Sequence, residues 1–92
     1  MTTASKKRTV KQTVAQREKV YGSFAEKAEI IQELKAVMQA SPNWEELPAA
    51  HKEALEMIQS KIGRVLVGDF NHADNFHDIA GYAQLVEDTI DA

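Results

Sequence analysis

The chain has 92 residues, of which 43% are hydrophobic, with no cysteine and a net charge of −3. This length fits one domain, near the lower size at which a single chain builds its own core. Without disulfides, stability must come from packing or from association with a second copy. No apolar run approaches the roughly 20 residues that span a bilayer, and the N-terminus lacks the apolar segment of a signal peptide. We therefore expect a cytoplasmic protein without a membrane partner.

Positive charge is concentrated at the N-terminus. Residues 1–20 contain six basic residues and one acid, whereas residues 21–92 contain five basic residues and thirteen acids. A basic segment can bind nucleic acid, but this one has no aromatic residue for base stacking. We interpret residues 1–20 as a basic arm, partly disordered or weakly helical, which is either solvated or docked on an acidic surface. A nucleic-acid partner is not expected.

Residues 21–92 are predicted to form one helical domain with three main helices. Gly22 breaks the chain, and Ser23 is a good N-cap for a first helix over FAEKAEIIQELKAVMQA, whose apolar residues recur every three or four positions. The segment SPNWEELP separates this helix from a second one, which has Pro48 in its first turn and ends at Gly68. The apolar stripe of the second helix comprises His51, Leu55, Ile58, Ile62 and Val65.

The third helix follows the turn GDFNHA, with Asp74 as its expected N-cap. Gly81 lies inside this helix, where glycine costs up to about 1 kcal/mol relative to alanine, so it suggests close approach by a neighbouring helix or a ligand. No segment has the pattern of a strand. We predict an all-α fold, a small antiparallel bundle that leaves apolar surface uncovered and is completed by oligomerisation.

Polar residues border the apolar stripes of the last two helices. Asp74, Asp78 and Tyr82 share one face of the third helix, and Lys61 and Arg64 lie near the end of the second. Because the connecting turn is short, the two helices are antiparallel neighbours. One interpretation is therefore a set of interhelical ion pairs that fixes the register of the helices.

A metal site is the alternative interpretation of the same region. Glu53 and Glu56 share a face of the second helix, and with Asp74 and Asp78 they would supply four carboxylates, the oxygen ligands that Mg²⁺ prefers. Magnesium there could bind the phosphates of a nucleotide and activate water. The sequence has neither a glycine-rich phosphate loop nor a serine nucleophile motif. No catalytic residue can therefore be named.

Three elements resemble a family of small phage and prophage proteins. They are Arg17-x-x-x-Tyr21-Gly22-Ser23-Phe24, EALEMIQSKIGRVLVGD and HADNFHDIAGYAQLVED, and they fall within residues 17–88. The resemblance names no activity. It implies a non-enzymatic accessory protein, in the host cytoplasm if phage-encoded, that binds a host protein through its acidic surface.

A more distant similarity is to the MazG-like all-α nucleotide pyrophosphohydrolases, which carry Glu-Glu-x-x-Glu on one helix and Glu-x-x-Asp on a following one. The segment 52–56, KEALE, resembles the first element with lysine in place of the leading acid. The segment 75–78, NFHD, resembles the second with asparagine in place of glutamate. This similarity implies a Mg²⁺-dependent nucleotide binder or a nucleoside triphosphate pyrophosphohydrolase, with Lys61 and Arg64 on the phosphates. Because two of the five acids are missing, the sequence favours a non-enzymatic or degenerate protein. The candidate ligand-binding residues are Tyr21, Lys61, Arg64 and Tyr82, and the candidate metal ligands are Glu53, Glu56, Asp74 and Asp78.

Overall fold

A computed structural model of the chain describes residues 9–91. These residues form helices and no strand, which confirms the predicted all-α fold. The start of the predicted basic arm, residues 1–8, lies outside the described part. None of the helices in residues 9–91 is both long and apolar enough to cross a membrane. The helices are α1 (Val10–Tyr21), α2 (Phe24–Gln39), a 3-10 turn (Trp44–Glu46), α3 (Ala49–Val67) and α4 (Ala73–Asp91).

Side-chain caps fix where the first two helices begin. The Thr9 hydroxyl accepts a hydrogen bond from the Gln12 N–H at 3.1 Å, and the Gln12 side chain accepts one from the Thr9 N–H at 2.9 Å. This reciprocal cap supports α1 at the end of the basic arm. Ser23 caps α2 as predicted, by accepting from the Glu26 N–H at 3.5 Å. Asp74 was predicted as the N-cap that precedes α4. The helix begins at Ala73, so Asp74 lies within its first turn.

Helix α3 is the centre of the bundle. It packs against α2 on one side and α4 on the other, and it also contacts α1. The Gln59 side-chain amide donates to the Ile31 carbonyl of α2 at 3.2 Å. The Lys61 ammonium bonds to the Asp78 carboxylate of α4 at 2.9 Å. These two polar contacts fix the positions of α2 and α4 along α3.

The buried residues of α3 differ from the predicted apolar stripe. Leu55 and Ile62, both in that stripe, are exposed. The prediction assumed that α3 has one buried face, whereas α3 has a neighbour on each flank. Polar and small residues on those two flanks are therefore buried instead. They are Ala54, Gln59, Lys61 and Gly63.

The α1–α2 and α3–α4 junctions pack against each other. The Asp69 N–H donates to the Val20 carbonyl at 2.7 Å. Gly22, whose φ is 81°, lies against Val67, and a Cβ at Gly22 would come within 2.6 Å of the Val67 backbone. A Cβ at Gly68 would likewise come within 2.5 Å of the Val20 carbonyl oxygen. The two glycines permit this close approach, which we name the junction contact.

The close approach predicted at Gly81 does not occur within the chain. Apart from Gly81 itself, its two chain neighbours and the nearby backbone of α4, no atom of residues 9–91 lies within 4 Å of the position that a Cβ would occupy there. Gly63 is in a tight contact instead, since a Cβ there would lie 2.7 Å from Cγ1 of Ile31 on α2. The glycines that matter for packing within the chain are thus Gly22, Gly63 and Gly68.

Candidate functional site

The four predicted ligand-binding residues lie in different places. Lys61 is buried between α3 and α4, where it bonds to Asp78. Tyr82 lines a shallow depression on α4. Tyr21 and Arg64 lie together at the junction contact, with the Arg64 guanidinium carbon 4.6 Å from the centroid of the Tyr21 ring. The structure therefore brings two of the four residues together.

The predicted ion pair between the last two helices is present as Lys61 and Asp78. The hydrogen bond from Lys61 holds the pKa of Asp78 below its ordinary value, although partial burial opposes this shift. The positive charges of Lys61, His77 and Arg64 lower the pKa further. The pair joins α3 to α4 and fixes their register. Lys61 is consequently occupied by a partner within the chain.

The four predicted metal ligands are spread along α3 and α4. Lys61 contacts Asp78 across the interface of α3 and α4. Glu53 precedes Lys61 by eight residues, so it lies roughly 12 Å from this contact along α3, toward the start of the helix. Asp74 lies one turn in the opposite direction because α4 runs antiparallel to α3. Among residues 9–91, no three His, Asp or Glu side chains are close enough to hold a metal ion together. Glu53, Glu56, Asp74 and Asp78 thus stay a sequence prediction without a shared site.

Tyr21 is surrounded by positive side chains. The guanidinium carbons of Arg17 and Arg64 lie 4.8 and 4.6 Å from its ring centroid, and the Lys27 Nζ lies 5.8 Å away. These distances are typical of cation–π contacts. The His72 ring meets the Tyr21 ring edge-on, with the centroids 5.6 Å apart. We name Arg17, Tyr21, Lys27 and Arg64 the cationic cluster.

Three helix ends contribute to the cationic cluster. Arg17 and Tyr21 are four residues apart on α1 and therefore share a face. Lys27 is near the start of α2, and Arg64 is in the last turn of α3. The junction contact holds the end of α1 against the end of α3, which brings the three cations to one place.

The cationic cluster borders a cavity of about 500 Å³. Its lining also includes Glu18, Ser60 and three apolar residues, Val14, Phe24 and Ile31. The ion pairs within residues 9–91 are Lys61 with Asp78 and His72 with Asp74, so no carboxylate there lies within 4 Å of a cluster cation. The lining therefore carries three positive charges and one negative charge.

Residues 7–90 match the family described as a domain of unknown function, DUF6378. The chain belongs to the DUF6378 family. The matched residues include the whole cationic cluster and both glycines of the junction contact. No curated protein and no solved structure matches the chain.

Two features of this DUF6378 chain describe the electrostatic environment of the cationic cluster. The pKa of Lys27 is lowered, first by burial and then by the positive charges of Arg64 and Arg17. In addition, the Nε of Arg64 is buried and has no hydrogen-bond partner among residues 9–91. A buried donor without an acceptor costs about 1–3 kcal/mol. An anion bound here would supply the acceptor and reduce the repulsion among the cations.

Sequence reasoning missed two members of the site in this DUF6378 chain. Arg17 was assigned to the basic arm, although its four-residue spacing from Tyr21, directly before Gly22, places both on one helical face. Lys27 was not identified as a candidate site residue. No spacing in the sequence relates Lys27 to Arg64, because their proximity arises only from the packing of α2 on α3.

Proposed function

We propose that this DUF6378 protein is a ligand-binding protein whose cationic cluster takes the phosphate group of its ligand. The observation that carries the proposal is the convergence of three cations on one cavity that has a single carboxylate. Like charges held together destabilise the fold unless an anion offsets them. A guanidinium group matches the geometry of a phosphate, which it can bind through two parallel hydrogen bonds.

Cation–π contacts with Tyr21 alone are the simpler explanation of the cationic cluster. Such contacts contribute about 0.5–1 kcal/mol each at exposed sites. The face of an aromatic ring, however, is only a weak acceptor for the N–H of a guanidinium, and the buried Nε of Arg64 has no hydrogen-bond partner among residues 9–91. A phosphate oxygen would supply one. The cavity beside the cluster also provides room for such a ligand.

The proposal keeps part of the sequence prediction and leaves part of it aside. Tyr21 and Arg64 remain candidate phosphate-binding residues, and no metal ion is required. The phage origin, the host-protein partner and the Mg²⁺-dependent pyrophosphohydrolase activity stay predictions from resemblance. The description of the matched family names no activity that would favour any of them.

Pyrophosphate is expected to raise the melting temperature of the wild-type chain. At a concentration one hundred times its dissociation constant, a ligand stabilises by about 2.7 kcal/mol. Arg64→Gln and Lys27→Gln should each weaken binding about tenfold or more, because each removes a charge from the phosphate site. Glu18→Gln should strengthen binding by removing the single carboxylate. Calorimetric titration at fixed ionic strength measures all four affinities.

Lys52→Gln is the matched control for Lys27→Gln. Lys52 also lies over an aromatic ring, with its Nζ 6.0 Å from the centroid of Trp44, but it does not line the cavity. Its replacement should leave the affinity for pyrophosphate unchanged. Equal losses in the two variants would mean non-specific attraction to positive charge and would overturn the proposal, as would the absence of any stabilisation in the wild type.

We also propose that a second copy of the chain completes the bundle. Among residues 9–91, Ala54 is the single hydrophobic residue that is less than a tenth exposed, at 5%. Such a small core contributes little to stability in a chain of this length. Further apolar burial against another chain would add to this stability. A second copy supplies it through a symmetric interface of identical surfaces.

Two exposed apolar rows form the surface suited to this association. One row on α3 comprises Leu55, Ile62 and Leu66, and one on α4 comprises Phe76, Ala80 and Ala83. The rows adjoin because Leu55 and Ala83 line the same depression. All six residues are uncharged. We name these six residues the apolar face. Ile62 and Arg64 are two positions apart on α3 and therefore point to opposite sides of the helix. The apolar face thus lies on the opposite side of α3 from the cationic cluster.

Light scattering at micromolar concentration is expected to report a dimer or a larger oligomer. Leu66→Glu should reduce the mass toward that of a monomer, because it inserts a charge into the apolar face. Leu85→Glu is the matched control, since both leucines are 62% exposed and Leu85 lies on the other side of α4 from Phe76. A monomeric wild type, or equal effects of the two variants, would contradict the proposed interface.

A further inference from the structure

We infer that the ligand is a small aryl phosphate, with its phosphate on the cationic cluster and its flat ring on Phe24. This inference rests on the proposed function and adds the chemical class of the ligand. The size of the cavity indicates a ligand larger than a phosphate ion. About 500 Å³ is in the range of pockets that hold whole small molecules, and a phosphate ion alone would leave most of it empty.

Phe24 supplies an open aromatic surface inside this cavity. It is 70% exposed, although it is the first residue of α2 and borders the site. An exposed phenyl ring beside a group of cations is suited to stacking against a second ring. Val14 and Ile31 add apolar surface to the same lining. The apolar part of the cavity therefore fits a flat hydrocarbon or heterocyclic ring.

Lys27 connects the two parts of the site. Its Nζ lies 5.8 Å from the ring centroid of Tyr21 and 5.7 Å from that of Phe24. A phosphate bound between Lys27 and Arg64 is therefore adjacent to the Phe24 ring. A ring joined to the phosphate through one ester oxygen reaches Phe24 without a long spacer. This adjacency favours a compact aryl phosphate over a long-chain phosphate ester.

The test compares inorganic phosphate, phenyl phosphate and cyclohexyl phosphate by calorimetric titration. Cyclohexyl phosphate matches phenyl phosphate in size but is not aromatic. Phenyl phosphate should bind the wild type about tenfold more tightly than inorganic phosphate, and more tightly than cyclohexyl phosphate. Phe24→Ala should remove most of this advantage, measured within the variant as the ratio of its affinities for phenyl phosphate and inorganic phosphate. Phe70→Ala is the matched control, because Phe70 is 68% exposed and lies outside the cavity.

The outcomes separate the two proposals. If inorganic phosphate binds through Arg64 but phenyl phosphate binds no more tightly, the aryl assignment fails and the proposed function stands. If neither compound binds, the proposed function itself fails. If Phe70→Ala lowers the affinity for phenyl phosphate as much as Phe24→Ala does, the placement of the ring is wrong. A phosphotyrosine peptide that binds more tightly than phenyl phosphate would assign the site to a protein partner and overturn the small-molecule assignment.

Discussion

Replacing Gly68 with alanine is expected to lower the free energy of unfolding by about 3 kcal/mol or more. The added Cβ would lie 2.5 Å from the Val20 carbonyl oxygen and equally close to the Tyr21 backbone. Backbone atoms cannot rotate away as a side chain can, so the two junctions must separate. Their separation also weakens the hydrogen bond from the Asp69 N–H to the Val20 carbonyl. The φ of Gly68 is −100°, so the effect comes from the contact and not from left-handed strain.

Gly81→Ala is the matched control for this substitution. Gly81 lies inside α4, and beyond the adjacent residues and backbone of that helix no atom of residues 9–91 would contact the new Cβ. Alanine there should stabilise the protein by up to about 1 kcal/mol, since glycine is the poorer helix former. Urea denaturation at equal protein concentration measures both changes. A Gly68→Ala variant as stable as the wild type would show that the junction contact is not formed.

Asp78→Asn is expected to lower the melting temperature markedly, because it leaves the ammonium of Lys61 buried without a charged partner. Lys61 is only 7% exposed, and removing one member of a buried pair costs more than the pair itself contributes. Lys61→Met in the Asp78→Asn background should restore much of the loss, since methionine fills similar space without a charge. Thermal unfolding followed by circular dichroism compares the wild type with the two variants.

Asp74→Asn provides the control on the same helix. Its side chain is 80% exposed, and its carboxylate is 3.9 Å from the His72 Nε2. Such an exposed pair contributes little, so the melting temperature should change only slightly. If Asp74→Asn and Asp78→Asn had equal effects, the loss would reflect the overall charge of α4. The pairing of Asp78 with Lys61 would then not be its cause.

The effect of Asp78→Asn should depend on pH in a direction set by the pKa of Asp78. Because the folded-state pKa lies below the ordinary value of 3.8, the unfolded chain binds this proton more tightly than the folded chain. The stabilisation is therefore complete above 3.8 and is lost as the pH falls through the folded-state pKa. The difference in melting temperature between wild type and variant should stay constant near neutral pH and shrink in acid. A difference that persists unchanged in acid would rule out the ion pair as its cause.

The helices of this protein were determined by local sequence. Ser23 starts α2 and Gly68 ends α3 at the predicted positions, because caps and apolar periodicity act within a few residues. The ion pair of Lys61 with Asp78 was also predictable, since a short turn forces α3 and α4 to be antiparallel neighbours. The all-α fold and one interhelical contact thus follow from the sequence.

The burial pattern and the cationic cluster depended on tertiary structure. Two flanks of α3 are buried because two helices, α2 and α4, pack against it. The apolar periodicity of α3 does not specify how many helices pack against it. The junction contact brings Gly22 against Val67 and Gly68 against Tyr21, residues that are far apart in sequence. That contact brings Arg17, Lys27 and Arg64 from three helices to one cavity. Side chains so distant along the chain become neighbours only when the helices pack, because spacing within a single helix relates residues no more than a few turns apart.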